Sequence, residues 1–563
     1  MGKKMAIGVQ DFEKIRQRGS FYVDKTDFIK KWWESNADVT LITRPRRFGK
    51  TLNMSMLDCF FSNKYAGRGD LFEGLNVWED EGFRELQGSY PVIFVTFAGI
   101  KAANFRSAVY GVKYQIAEIF NSYNYLASNE ELSENERQAF NSMTQDMSDD
   151  AAQYALRFLS QMLSKVNHGK KVLIFLDEYD TPLQEAWNYG YWEELVQFTR
   201  LLFNNTFKTN PYMERAVMTG ITRVSRESLF SDLNNLDVCT LSTEKYETCF
   251  GFTEDEVFAA MDEEGMGSEM KEEVKRWYDG FIIGRVKDIY NPWSITNFLD
   301  AKKFRAYWAN TSSNALAGKL VREGDAKLKE EFETLLGGKS IIAEIDEQIV
   351  FSDLERDANS VWSLLLASGY LKAEDVRLDM GDEIFTLSLT NLEVKNIFLK
   401  LINGWFGRDR KMEDFVSYML KGDTEGMNYY MNRIALETFS FFDSGNRPSD
   451  RMQPERFYHG FVLGLMVEKR KSHILRSNRQ SGFGRYDVMM EPKDLGDKAV
   501  IIEFKVINET AGEKSLEDTA KSALAQIEEK RYETELISRG IPKENIYKYA
   551  FAFKGQECRI VRG

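Results

Sequence analysis

Residues 39–51, Val-Thr-Leu-Ile-Thr-Arg-Pro-Arg-Arg-Phe-Gly-Lys-Thr, run from an apolar strand into a basic loop that closes on Gly49, Lys50 and Thr51. Strand, tight loop and helix in that order make a phosphate-binding loop, whose pattern asks for Gly at the first and sixth loop positions, then Lys and Ser or Thr. Gly49, Lys50 and Thr51 fit; Arg44 stands where the first Gly belongs. Unpaired N–H groups at a helix start, together with the helix dipole, hold an anion. Lys50 would reach the β- and γ-phosphates of a nucleotide and Thr51 its Mg²⁺. Arg44, Arg46 and Arg47 add positive charge around the same loop. On these residues alone, an ordinary basic loop capping a helix is an equal alternative.

Outward from the loop, Leu52 to Phe61 continues as a helix with Leu52, Met56, Leu57 and Phe60 on one face. Residues 91–97, Pro-Val-Ile-Phe-Val-Thr-Phe, have the composition of a strand buried on both faces. Residues 171–180, Lys-Val-Leu-Ile-Phe-Leu-Asp-Glu-Tyr-Asp, are a second such strand ending in Asp177 and Glu178. Carboxylates at the end of a buried strand are costly unless a cation or water meets them, and open α/β sheets place their ligands at the carboxyl ends of strands. Asp177 is therefore the candidate Mg²⁺ ligand, and Glu178 the group that polarises the water attacking a γ-phosphate. Residues 214–222 form a third strand, ending at Thr219, whose hydroxyl is placed to sense the γ-phosphate or hold that water. Arg223 and Arg226, just beyond, are candidates to contact phosphate in cis or from a neighbouring subunit, with a solvated surface role as the alternative. Strands alternating with helices predict a parallel α/β sheet.

These stretches resemble a bacterial family of AAA-type ATPase-like proteins with a non-standard Walker A. The resemblance rests on Gly8–Arg16, Tyr22–Thr26, Arg44–Thr51, Leu176–Asp180 and Met218–Thr222, then Tyr290–Ser294 and Tyr307–Ser312. It implies ATP binding by Arg46, Arg47, Phe48, Gly49, Lys50 and Thr51, with Asp177, Thr219 and Arg223 around them; Arg44 belongs to that family's own form of the loop.

In the middle, Asn291-Pro292 predicts a capped helix start. Residues 360–371 predict an apolar helix, and two short strands follow around the turn at Met380-Gly-Asp382. Helix plus hairpin suggests a winged-helix module. It would pack as a relay or bind DNA, and Asp375, Asp379, Asp382 and Glu383 favour packing. Residues 442–450 have linker composition.

Towards the C-terminus, Glu455 to Lys469 reads as a helix, and residues 499–506, Ala-Val-Ile-Ile-Glu-Phe-Lys-Val, as a strand. Residues two apart on a strand share a face, so Glu503 and Lys505 project together while Ile502 and Phe504 point away. Asp487, on a neighbouring strand, would lie beside Glu503. Two carboxylates form a hard-oxygen Mg²⁺ site, and a lysine beside them serves a metal-activated water or the charge developing on phosphate. That is the chemistry of metal-dependent phosphodiester hydrolysis; an exposed Glu503–Lys505 ion pair on a hairpin is the alternative. Arg470, Lys471, His473, Arg476, Arg479 and Arg485 crowd the approach to Asp487, as a phosphate-backbone footprint would, and Gly482 and Gly484 would let backbone approach a ligand.

This segment resembles the PD-(D/E)xK nuclease superfamily. The resemblance implies a core of Asp487, Glu503 and Lys505, and adds Gln526 on the helix Leu516 to Tyr532, with Tyr532 a looser match. Glu455 and His459 are candidate accessory ligands, with surface or core roles as the stronger alternative for both.

The expected architecture is α/β: a P-loop AAA-like ATPase domain (1–285), a helical/winged-helix lid region (286–445) and a PD-(D/E)xK nuclease-like domain (446–563). At 563 residues the chain is too long for one core. A net charge of −13 argues against a protein that coats nucleic acid non-specifically and leaves room for a local basic groove. Cys59, Cys239, Cys249 and Cys558 form no CxxC pair, and with three histidines a zinc site is not expected. The cysteine usage points to a reducing, cytoplasmic home, and no signal peptide or membrane-spanning run is read. ATP and Mg²⁺ are the expected cofactors. The expected partner is nucleic acid, DNA before RNA; the sequence leaves the oligomeric state open, a homo-oligomer included. Metal-dependent cleavage of DNA, with a defence role, competes with a nucleotide-sensing scaffold that only holds nucleic acid and with an ATP-driven motor.

Overall fold

Apolar runs become the strands of the N-terminal region, with Val39–Thr43 and Val172–Asp177 buried along their whole length and Leu236–Cys239 buried only at its end. They are β1 (Val39–Thr43), β2 (Val92–Thr96), β3 (Val172–Asp177), β4 (Met213–Gly220) and β5 (Leu236–Cys239). In the computed structural model they form one parallel sheet in the order β2-β3-β4-β1-β5. Continuous apolar strands of this kind need cover on both sides. On one side Ile42, Phe175 and Val217 pack with Met54, Leu57 and Phe61 of α1 (Lys50–Phe61) and with Phe28 and Trp32. Helices Phe105–Ser122 and Asp149–Val166 pack against β2 and β3.

The structure describes residues 4–224, 229–230, 233–310, 320, 326–349, 354, 358–379, 382–405, 412–439, 462, 466, 472–481, 484–507, 513–554 and 557–563. The chain divides into two units, Met1–Leu320 with Leu335–Asn396, and Val321–Thr334 with Ile397–Gly563. The 442–450 stretch of linker composition, Arg226 and the turn residues 380 and 381 lie outside the described residues. So do Gly482, Glu455, His459, Arg470 and Lys471.

Asn291 caps the helix Pro292–Ala301, its Oδ1 accepting from Trp293 N at 2.9 Å, as the Asn-Pro signal predicts. The helix Ala358–Ala367 precedes the antiparallel hairpin Leu371–Asp379 and Asp382–Leu389. A third strand that the sequence did not suggest, Ile341–Glu344, pairs with the hairpin's second strand.

The second unit is built on a mixed five-stranded sheet: β6 (His473–Ser481), β7 (Gly484–Pro492), β8 (Ala499–Val506), β9 (Ile546–Lys554) and β10 (Glu557–Arg562), in that order. Only β8 and β9 run parallel, joined by a crossover that contains α2 (Leu516–Lys530). The period-two pattern of β8 sorts its side chains as expected. Val500, Ile502 and Phe504 enter a core with Met419, Met427 and Met431 of the helices Met412–Lys421 and Thr424–Phe439. Ala499 and Ile501 face Ile527 and Tyr532 instead. The architecture is thus an N-terminal parallel α/β sheet, a largely helical middle and a C-terminal mixed α/β sheet.

Candidate nucleotide and metal sites

The parallel register brings the N-terminal charges to one end of the sheet, because Thr43 lies beside Gly220 and Thr96 beside Asp177. Gly49 caps α1 with φ +83°, a left-handed conformation that favours glycine. Lys50 folds back under the loop, its Nζ donating to Arg44 O and Pro45 O, both at 2.9 Å. Burial pushes the Lys50 ammonium down from its usual range, against the pull of Glu178, Asp180 and Asp177. Asp177 is fully buried and held from both sides, with Thr51 Oγ1 donating to one oxygen at 2.8 Å and Thr219 Oγ1 to the other at 2.5 Å. Burial raises its carboxyl above the usual range, and the two threonines oppose that rise.

Thr219 also accepts from Glu178 N at 3.2 Å, so its hydroxyl orients the acidic pair. Glu178 takes a left-handed φ of +51° and Arg47 one of +67°. Such conformations are costly for residues with side chains and cluster at functional sites, and both residues line one cavity of about 510 Å³ with Arg46, Phe48, Gly49, Lys50 and Thr51. That volume suits a nucleotide-sized ligand.

Arg44 departs from the expectation that it adds charge around the loop. Its side chain turns away and is fully buried, Nη1 donating to Thr43 O, Cys239 O and Thr240 O at 2.7–3.1 Å. A guanidinium offers five donors in a fixed fork, and here that fork ties the loop to the end of β5. Burial pushes the Arg44 guanidinium down to about 10. Arg47 stacks over Trp293 at 4.4 Å, and Phe48 packs on Phe281 while its residue lines the cavity. Arg223 does not line this cavity; its backbone pairs in parallel with Gln348.

The charge pattern alone did not reveal the far wall. Ala6–Gln10, Phe21–Val23, Pro292, Trp293 and Thr296 also line the cavity. The signal was present in the quoted motifs Gly8–Arg16 and Tyr22–Thr26, which are neighbours in sequence, and in Tyr290–Ser294, which meets them here from far along the chain.

In the second unit, β7 and β8 pair with Val488 opposite Ile502, which brings Asp487 to Glu503. Asp487 Oδ2 accepts from Phe504 N at 2.9 Å, and Glu503 is buried with Oε1 accepting from Gln526 Nε2. Lys505 Nζ donates to Ser522 Oγ at 3.0 Å, and Gln526 Nε2 also reaches the Tyr532 hydroxyl at 3.3 Å. Ser522 and Gln526 are four apart on α2 and so share a face, which lies over Glu503 and Lys505, two apart on β8. Ala520 and Ala523 pack on Ala550 and Ala552, the residues of β9 beside Glu503 and Lys505, and let the helix approach. All four expected residues come together; Ser522 was missed, because a serine on a helix carries no signal until its strand is placed. The paired carboxylates are hard oxygen donors that fit a divalent cation.

The basic approach to Asp487 is thinner than its sequence suggests. Arg476 pairs with Glu491 at 2.9 Å and Glu535 at 3.3 Å, and Arg539 joins the same two carboxylates. His473 is buried, its Nε2 3.1 Å from Lys498 O. These two side chains hold the domain together, and those of Arg479 and Arg485 lie outside the description.

Residues 6–230 match the family described as "Predicted AAA-ATPase", and residues 453–563 match the PD-(D/E)XK nuclease superfamily. The chain joins an AAA-ATPase-like domain to a PD-(D/E)XK nuclease-superfamily domain. The charges of Lys50, Asp177 and Glu178 and the Asp487–Glu503–Lys505 group fall inside the matched segments, whereas Trp293 and its neighbours lie beyond the ATPase-like match. A protein from Azotobacter chroococcum mcd 1, known as the uncharacterized protein in the vnfD 5′ region, is 26% identical over 558 residues, covering 96% of this chain and 95% of its own length. The likeness therefore spans the ATPase-like domain, the middle and the nuclease-superfamily domain together. Among the described residues no helix is long and apolar enough to cross a membrane.

Proposed function

We propose that the ATPase-like domain binds and hydrolyses Mg²⁺–ATP in its cavity, and that the nuclease-superfamily domain cleaves DNA under the control of that nucleotide. In the first site Lys50 exchanges its loop carbonyls for phosphate oxygens, and the α1 N-terminus supplies backbone N–H groups to the same oxygens. Thr51 and Asp177 would hold Mg²⁺, which when bound neutralises charge on the phosphates. Glu178 orients and polarises the attacking water, with its backbone fixed by Thr219. Arg223 remains a candidate phosphate contact from a neighbouring copy in a homo-oligomer.

In the second site Asp487 and Glu503 would hold Mg²⁺, which when bound lowers the pKa of water and steadies the phosphate charge. Lys505 donates to that charge or accepts the water's proton. Gln526 keeps Glu503 aimed at the site, and Tyr532 steadies Gln526. Pairing a nucleotide switch with a destructive domain suits a cytoplasmic defence against foreign nucleic acid.

The observation that supports this reading is that the β7–β8 register sets Asp487 beside Glu503, while α2 meets Glu503 through Gln526 and Lys505 through Ser522. Its test is incubation of the full chain with plasmid DNA and with RNA, under Mg²⁺, Mn²⁺ or EDTA, with and without ATP. Cleavage of DNA that needs the cation, and is lost in Lys505→Ala, is the expected result. DNA binding without cutting would instead make the domain a nucleotide-responsive scaffold. Equal phage resistance of Glu503→Ala and wild-type cells would remove the defence role.

A further inference from the structure

Three arginines share the phosphate-binding loop, and the structure gives them three different employments. Arg44 is buried on carbonyls and Arg47 is stacked on Trp293. Arg46 lines the cavity, and its Nη2 donates to Gln184 Oε1 at 3.1 Å. Gln184 is itself buried on the helix Thr181–Tyr189, and its Nε2 donates to Asp180 Oδ2 at 3.0 Å. The same carboxylate oxygen accepts from Ile221 N at 2.9 Å and from Thr222 N and Oγ1 at 3.0 Å. An amide is neutral, and it accepts from a cation through its oxygen while donating to an anion through its nitrogen. Cation, amide and carboxylate therefore form a polar chain from the loop to the end of β4.

The anchor of this chain is rigid. Asp180 is almost fully buried, and its other oxygen lies against Gly220, where a Cβ would come within 3.0 Å of it. The same Cβ would strike the Tyr179 ring, whose hydroxyl donates to Thr222 O at 2.8 Å. Asp180 and Gln184 lie two and six residues after Glu178. The tether thus joins Arg46 to the segment that carries Glu178, and both Arg46 and Glu178 line the cavity.

We propose that Gln184 is a positioning residue that fixes Arg46 as a γ-phosphate ligand, so that the pair sets the preference for ATP over ADP. The proposal rests on the nucleotide reading of the cavity. ADP leaves Arg46 on Gln184; ATP gives the guanidinium an anionic partner at the same post.

The test is a binding competition between ATP and ADP, with Mg²⁺, on the full chain as wild type, Gln184→Leu, Arg46→Ala and the double variant. Each single variant is expected to lose about tenfold in ATP affinity, the size of one charge-assisted hydrogen bond, with ADP affinity within about twofold of wild type. The double variant is expected to lose no more than either single one, because the two residues act as a unit. Arg46→Ala removes a side chain at the cavity wall, so it reads the effect even if Gln184→Leu fails to fold. Equal losses for ATP and ADP, or losses that add in the double variant, would overturn the proposal while leaving nucleotide binding intact. A wild-type chain that binds neither nucleotide would overturn the cavity reading itself.

Discussion

The two candidate sites solve the same problem, holding charge against phosphate, with opposite materials. In the N-terminal domain the groups come from loops at the ends of parallel strands, and each is already engaged: Asp177 by two threonines, Lys50 by two carbonyls, Arg46 by Gln184. In the C-terminal domain two carboxylates face each other across neighbouring strands, and the helper residues ride on a single helix. The first arrangement suits a switch, since an incoming ligand trades partners with groups that were satisfied without it. The second suits a resident cation, because paired carboxylates repel until something positive lies between them.

Glu503→Ala tests the second half of that contrast most severely. It should lower DNA cleavage by about a thousandfold or more, with ATP affinity unchanged; cleavage within tenfold of wild type would mean that the carboxylate pair is not the metal site. Arg44→Gly tests the first half, since it restores the general loop pattern and removes the buried guanidinium. It should cost about 4 kcal/mol in denaturant unfolding, because several buried carbonyls lose their donor, and the surviving folded protein should still bind ATP. A gain in stability would show that Arg44 belongs to the ligand and not to the fold.

A third probe concerns the wall of the cavity. Glu393 is buried, accepting from Trp308 N at 2.9 Å and from Ser294 Oγ at 2.7 Å on the helix that supplies Trp293. Burial pushes its carboxyl up to about 7. The unfolded chain ionises this group near 4.5 while the folded one keeps its proton, so its contribution to stability is full below that pH and is lost as pH rises to about 7. The loss is about 3 kcal/mol by linkage. Comparing melting curves of wild type and Glu393→Gln from pH 4 to 8 should show the difference between them change across that window and level off above it. A pH-independent difference would place the charge elsewhere. The smallest expected effect is that of Glu178→Gln: about a hundredfold slower ATP turnover at near-normal ATP affinity, with parallel losses in both indicating a binding role instead.

How much of this was legible varies with the distance over which a residue finds its partner. β1, β3 and β4 announced themselves as apolar runs, and Asp177, Glu178, Glu503 and Lys505 as charges where burial made charge expensive. β5 did not: Leu236-Asp-Val-Cys239 alternates polar and apolar and carries no turn signal of its own. Arg44 could not be assigned for the same reason, since its carbonyl partners sit on that strand nearly two hundred residues away. Arg476 read as a phosphate contact because its neighbours in sequence are basic, whereas its neighbours in space are Glu491 and Glu535. Gln184 looked like an unremarked helix residue until Arg46 and Asp180 closed on it from either side.

The four alanines at the seam of α2 and β9 have a consequence of their own. They carry no chemistry, yet they act as a gauge block that sets how near the helix lies to β8. One extra methyl group at Ala523 or Ala552 would jack the helix outward and draw Ser522 and Gln526 off their partners together. Silent, small residues at that seam are thus as exacting a requirement on any working variant as the charged ones they serve.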